Sequence, residues 1–166
     1  MAGGAGARSF PLAYHITFGT YGTRLHGDPR GTVDRRRNEP EAPIVGRQDA
    51  WRRLEAGRLK HPPIVLNESQ RRHAESVLPD ICKRGGWACR RCACGPDHVH
   101  VLLSARTEGA AVRRRLKRWL GEALSARWPL PAGASWWADS GSVRWVWDEE
   151  YLRNVANYLQ DQRTTD

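Results

Sequence analysis

The chain of 166 residues has the size of a single domain and can bury a core without disulfide staples. Its 27 Lys and Arg against 18 Asp and Glu leave a formal net charge of +9, which favours a polyanionic partner, nucleic acid before an anionic membrane. No apolar run approaches the roughly 18 residues that span a bilayer, and Met1 to Ala7 lacks the basic and apolar regions of a signal peptide, so a cytoplasmic protein is expected rather than a secreted or integral membrane one.

Residues 1–13 read as a flexible tail before one domain over 14–166. Tyr14 to Tyr21 is rich in aromatic and β-branched residues and predicts a strand. Arg24 to Pro63 is rich in Pro, Gly and charge, contains Asp34-Arg35-Arg36-Arg37, and forms a long inserted connection with one short candidate helix, Gln48 to Lys60. Asn67 offers an N-cap, with Gln70 three residues on. Ala74, Val77, Leu78, Ile81 and Cys82 follow at helical spacing, and Gly85-Gly86 supplies a stop. Pro79 inside this pattern predicts a kink or two short helices.

Trp87 to Cys94 and His98 to Ser104 are strand-like runs around Gly95-Pro96-Asp97, a turn by composition, and predict a hairpin. Val112, Leu116, Trp119, Leu120, Ala123 and Leu124 mark a helix from about Thr107 to Trp128. Ser135 to Trp137 and Val143 to Trp147 flank Ala138 to Ser142 and suggest a second hairpin, or one strand with a turn. Asp148 is a good N-cap for a last helix ending near Gln162. This order predicts an α+β domain with a ferredoxin-like antiparallel sheet and helices packed on one face.

Cys82, Cys89, Cys92 and Cys94 crowd into one short stretch, unlike a disulfide framework, and agree with a reducing compartment. No second ligand pair follows at zinc-site spacing, and regular alternation would aim Cys89 and Cys92 at opposite faces of a strand. They are expected to be small buried hydrophobes.

The sharpest local feature is Pro96-Asp97-His98-Val99-His100-Val101-Leu102-Leu103. His98 and His100 share one strand face and can chelate a divalent cation if a third ligand comes from elsewhere; otherwise they decorate an exposed face. On the last helix, Leu152, Val155, Ala156 and Leu159 form the apolar stripe, with Tyr151, Tyr158 and Gln162 along one flank. Tyr158 and Gln162 are one turn apart, so a hydroxyl and an amide can reach toward the histidine strand; the plainer alternative leaves the Tyr158 hydroxyl in water. Arg113, Arg114, Lys117 and Arg118 line the helix face opposite its apolar stripe, with Arg115 nearer the edge. The net charge favours phosphate contact over a merely solvated face. Among eight Trp, alternation would bury one of each of the pairs Trp136/Trp137 and Trp145/Trp147 and leave the other able to stack on an unpaired base.

These residues resemble the HUH single-strand nucleases. The resemblance is to the REP-associated tyrosine transposases and their single-domain insertion-sequence relatives. It covers about Tyr14 to Gln162, most specifically Pro96 to Leu103 and Tyr158-Leu159-Gln160-Asp161-Gln162, and more loosely Tyr14 to Asp28 and Arg144 to Asp148. It implies that His98 and His100 bind a Mg²⁺ or Mn²⁺ ion, that Gln162 completes the metal shell, and that Tyr158 is the nucleophile. It further implies cleavage and transfer of single-stranded DNA at hairpin, palindromic elements through a 5′-phosphotyrosine, in a bacterial cytoplasm, by a monomer or by a homodimer. Tyr151, two turns earlier on the same flank, is the alternative nucleophile. Histidine-triad nucleotide hydrolases are a rival class, but Leu102 stands where their third histidine would be. The other rival is a non-catalytic, host-domesticated protein that binds DNA hairpins.

Overall fold

A computed structural model describes residues 9–23 and 49–163. The expected tail up to residue 8, most of the 24–63 connection with Asp34 to Arg37, and Gln48 lie outside the described residues. The elements are β1 Ala13–Gly19, α1 Asp49–Ala56, α2 Glu68–Arg84, β2 Ala88–Cys94, β3 His98–Ser104, α3 Gly109–Arg127, β4 Ser142–Val146 and α4 Glu149–Asp161. The four strands form one sheet in the order β2-β3-β1-β4, with every neighbouring pair antiparallel. This is the ferredoxin-like arrangement of an α+β domain. None of the described helices is long and apolar enough to cross a membrane.

Alternation decides which face each side chain serves. On β1, Tyr14, Ile16 and Phe18 are buried on one face, and β3 sends Val99, Val101 and Leu103 to the same side. Ile16 lies opposite Val101 and Phe18 opposite Val99. Two helices cover this face as the element order predicts. α2 brings Ala74, Leu78, Ile81 and Cys82, and α3 brings Val112, Leu116, Leu120 and Leu124. The other face carries a smaller apolar island of Ala13, Ala93, Leu102 and Val146. α4 departs from the expected one-sided packing: its Val155 and Leu159 cover that island. An apolar patch of four strand residues would otherwise face water, so a helix with one apolar stripe is stabilised on it.

Three local expectations are corrected. α2 is continuous through Pro79. Proline removes the donor to the carbonyl four residues back, which belongs to Glu75. That carbonyl instead accepts the Cys92 thiol at 3.6 Å. The cysteines do not alternate, because the β2–β3 register shifts between Cys89 and Arg91. Cys89 then pairs with Leu103 and Cys92 with Val101, so both serve the same face as their partners. Cys82, Cys92 and Cys94 are buried in the main core and Cys89 packs against it. Residues 135–137 do not make a hairpin strand. A single bridge joins Trp137 to Thr20, and Trp136 and Trp137 are both buried. Their indole N–H groups donate to Ser125 Oγ and the Lys117 carbonyl, each at 2.8 Å. At the ends, Ala13 already belongs to β1, and the expected Gln48 to Lys60 helix is seen as α1.

Leu159 is fully buried in the island that seats α4. Leu159→Ala is expected to cost about 2–5 kcal/mol in urea unfolding. The exposed neighbour change Gln160→Ala should stay within about 0.5 kcal/mol.

Candidate active site

The site lies on the α4 face of the sheet. His98 and His100 stand on β3 with ring centroids 4.8 Å apart. The turn before His98 is held from two sides. The Asp97 carbonyl accepts the backbone N–H of Thr20 at 2.9 Å, and the Pro96 carbonyl accepts that of Leu66 at 2.7 Å. Gly95 is required here by close approach: a Cβ at that position would fall 2.6 Å from His98 Cε1. The Asp97 carboxylate, itself largely buried, lies 2.6 Å from His98 Nδ1 through Oδ1.

The second imidazole is held by β1. Thr17 lies directly opposite His100 in the ladder. Thr17 Oγ1 is 2.9 Å and His15 Nε2 is 3.2 Å from His100 Nδ1. Burial, then the nearby Arg144 guanidinium, pushes the His15 pKa down to about 4. His15 is therefore neutral at pH 7 and can accept through Nε2. With Nδ1–H donating to Asp97 in one ring and to Thr17 or His15 in the other, Nε2 of both rings becomes the lone-pair side. His15 and Thr17 are the site residues that sequence reasoning passed over. The alternation of Tyr14-His15-Ile16-Thr17-Phe18 already puts both on the polar face; the missing information was the register that sets them against His100.

α4 supplies the remaining groups. Asp148 caps it by accepting the Tyr151 N–H at 2.7 Å. The Tyr158 ring sits 6.1 Å from the His100 ring, nearly perpendicular to it, and Tyr158 is 50% exposed. Gln162 is the C-cap of α4 and lines a cleft of about 360 Å³ together with His98. The structure thus brings the Tyr158 ring to His100 and places Gln162 in the same cleft as His98. Among the described residues, no group of three or more His, Cys, Asp or Glu is arranged to hold a metal ion.

The basic residues expected to meet DNA are placed elsewhere. α3 packs on the opposite face of the sheet, so Arg113, Arg114, Lys117 and Arg118 lie across the sheet from the histidines. Arg113 donates to the Gly141 carbonyl at 2.8 Å, and Lys117 donates to the Ser140 carbonyl at 3.2 Å and to that of Ala138. Arg118 pairs with Glu122 one turn away, while Arg114 and Arg115 are exposed. Two of the four thus tie down the loop before β4. The tryptophans also depart from expectation. Trp136 and Trp137 are both buried, whereas Trp145 and Trp147 are both about half exposed, with ring centroids 5.6 Å apart.

No protein-family model and no curated protein matches the chain. Among solved structures, the chain is similar to a candidate transposase from Deinococcus radiodurans at 19% identity and a TM-score of 0.47, over 99% of this chain and 100% of that one.

The depressed pKa of His15 has a signed consequence. Below pH 6.5 the unfolded chain takes up a proton that the folded chain refuses until about pH 4. Stability is therefore full above pH 6.5 and is lost as pH falls through that window. Urea midpoints of chelator-treated protein should fall more steeply between pH 7 and 4.5 in the wild type than in His15→Gln. Parallel profiles would count against a neutral, buried His15.

Proposed function

We propose that the chain is a metal-dependent single-strand DNA endonuclease and strand transferase of the HUH tyrosine transposase type, acting on hairpin DNA in the bacterial cytoplasm. The observation that carries this reading is the convergence of His98, His100 and Tyr158 on one face of the sheet, with Gln162 in the same cleft as His98. The neighbouring contacts fit the chemistry, because each imidazole has its Nδ1 held by a fixed partner.

His98 and His100, with the Gln162 amide, would hold a Mg²⁺ or Mn²⁺ ion. A donor set this sparse suits a cation that keeps positions for water and for phosphate oxygens of the substrate. When bound, such an ion supplies the positive charge that polarises a phosphate oxygen. The chain's own residues do the rest. Tyr158 is exposed enough to be reached by an extended strand. Its oxygen attacks phosphorus, forming the O–P bond of a 5′-phosphotyrosine, while the bond to the 3′ oxygen breaks. The phenolic proton is lost, and the leaving oxygen gains one to become a free 3′-hydroxyl. The covalent link conserves a phosphodiester, so a second 3′-hydroxyl can reverse the step and join a new end. His15, Thr17 and Asp97 are positioning residues that fix the two rings.

Covalent trapping tests the reading. Hairpin DNA with single-stranded flanks, incubated with Mn²⁺, should give a protein–DNA adduct on a denaturing gel. Tyr158→Phe, His98→Ala and chelator should each lower its yield at least about a thousand-fold. Loss only in Tyr151→Phe would move the nucleophile two helical turns back. Hairpin binding with no adduct on any palindrome would replace this reading with that of a non-catalytic binding protein.

A further inference from the structure

We infer that Arg71 and Arg163 form a phosphate-binding subsite for the single strand that flanks the cleaved bond; this rests on the reading just given. Both residues line the cleft that holds His98 and Gln162. They come from opposite sides of the sheet. Arg71 lies on α2, and Arg163 follows the last turn of α4. Neither belongs to the basic face expected from the sequence, and that face lies across the sheet. The backbone charge of a strand entering this cleft therefore has to be met by other residues.

The state of each arginine fits an anion. Arg71 Nε is buried and makes no hydrogen bond. A guanidinium donor shielded from water is costly until an acceptor reaches it. Arg163 is held by a long ion pair, its Nε 3.9 Å from Glu75 Oε2. The other oxygen of that buried carboxylate accepts the Cys94 N–H at 2.9 Å. Glu75 thus fixes Arg163 at the rim, and the planar group keeps further donors for a bidentate oxyanion contact.

Two carboxylates also line the cleft. Glu68 is engaged by Arg72, one turn away on α2, at 2.6 Å. Asp161 stands beside Gln162 at the end of α4. With Glu68 matched by Arg72 and Glu75 by Arg163, the charges of the cleft nearly balance, so its affinity for an anion rests on the unbonded Arg71 Nε and the spare donors of Arg163. Two guanidinium groups suit phosphodiester oxygens, and contacts to phosphate carry no sequence information, so the subsite should bind without regard to sequence.

The test measures binding, not cleavage. A hairpin oligonucleotide with single-stranded flanks is titrated in chelator, over a range of salt, against wild type, Arg71→Gln, Arg163→Gln and the double variant. Each single change should weaken binding about three-fold and shrink the slope of log K against log salt by about 0.7. The double variant should lose both contacts. The same hairpin without flanks should bind all four proteins alike. Arg71→Lys should recover most of the salt slope, which a merely structural role would not allow, and matching circular dichroism spectra would exclude misfolding. Unchanged affinity and slope in the double variant would overturn the subsite, even if adduct formation proves normal. A reduced slope with no adduct on any DNA would keep the subsite and sink the cleavage reading.

Discussion

The pairing of β1 with β3 is the contact on which both halves of the molecule depend. Thr17 opposite His100 implies Ile16 opposite Val101 and Phe18 opposite Val99. One register therefore builds the main core and also assembles the polar set of His15, Thr17, His98 and His100 on the reverse side. A slip of one residue would exchange the faces of the slipped strand. A slipped β3 would bury His98 and His100 against α2 and α3 and expose Val99 and Val101. Because the core side excludes that slip strongly, the polar side inherits a precise geometry without having to stabilise it.

The reverse face is a compromise between packing and chemistry. Ala13, Ala93, Leu102 and Val146 give α4 an apolar seat beside the histidines rather than over them. The stripe of α4 uses that seat, so its flank comes to rest against the His100 ring. Tyr158 directly precedes Leu159, the buried anchor of the helix. Tyr158 and the anchor are thus neighbours in the chain, and the position of one follows closely from the packing of the other. Where the main core is broad enough to hold two helices, this second cluster is small, and α4 is the element most open to local detachment.

Much of this was legible in the sequence. Alternation in His98-Val99-His100-Val101 and the 3.6-residue stripe of α4 gave the faces of both elements, because each pattern reports burial directly. The long-range partners were hidden. Nothing local marks His15 as the neighbour of His100, since their meeting depends on a register between strands far apart in the chain. The sidedness of α4 was also hidden, because an amphipathic helix does not say which face of a sheet it covers. The basic face of α3 is legible as a candidate phosphate-contacting surface, but its location across the sheet from the histidines is a property of the topology. Cys89 and Cys92 misled for a local reason: a single bulge residue breaks the period of two. Pro79 misled because the thiol that accompanies the Glu75 carbonyl comes from another element.

The turn at Asp97 joins two duties in one residue. Its main-chain oxygen fastens the end of β1 through Thr20, and its side chain sits on the imidazole of His98. A strain that loosens the strand end therefore reaches the ring through a single residue, with no intervening chain to absorb it. The carboxylate acts as a short rigid lever between backbone and imidazole. The orientation of His98 should consequently report on the integrity of the sheet, so that the first sign of a fraying β1 is a misaimed imidazole rather than a lost core.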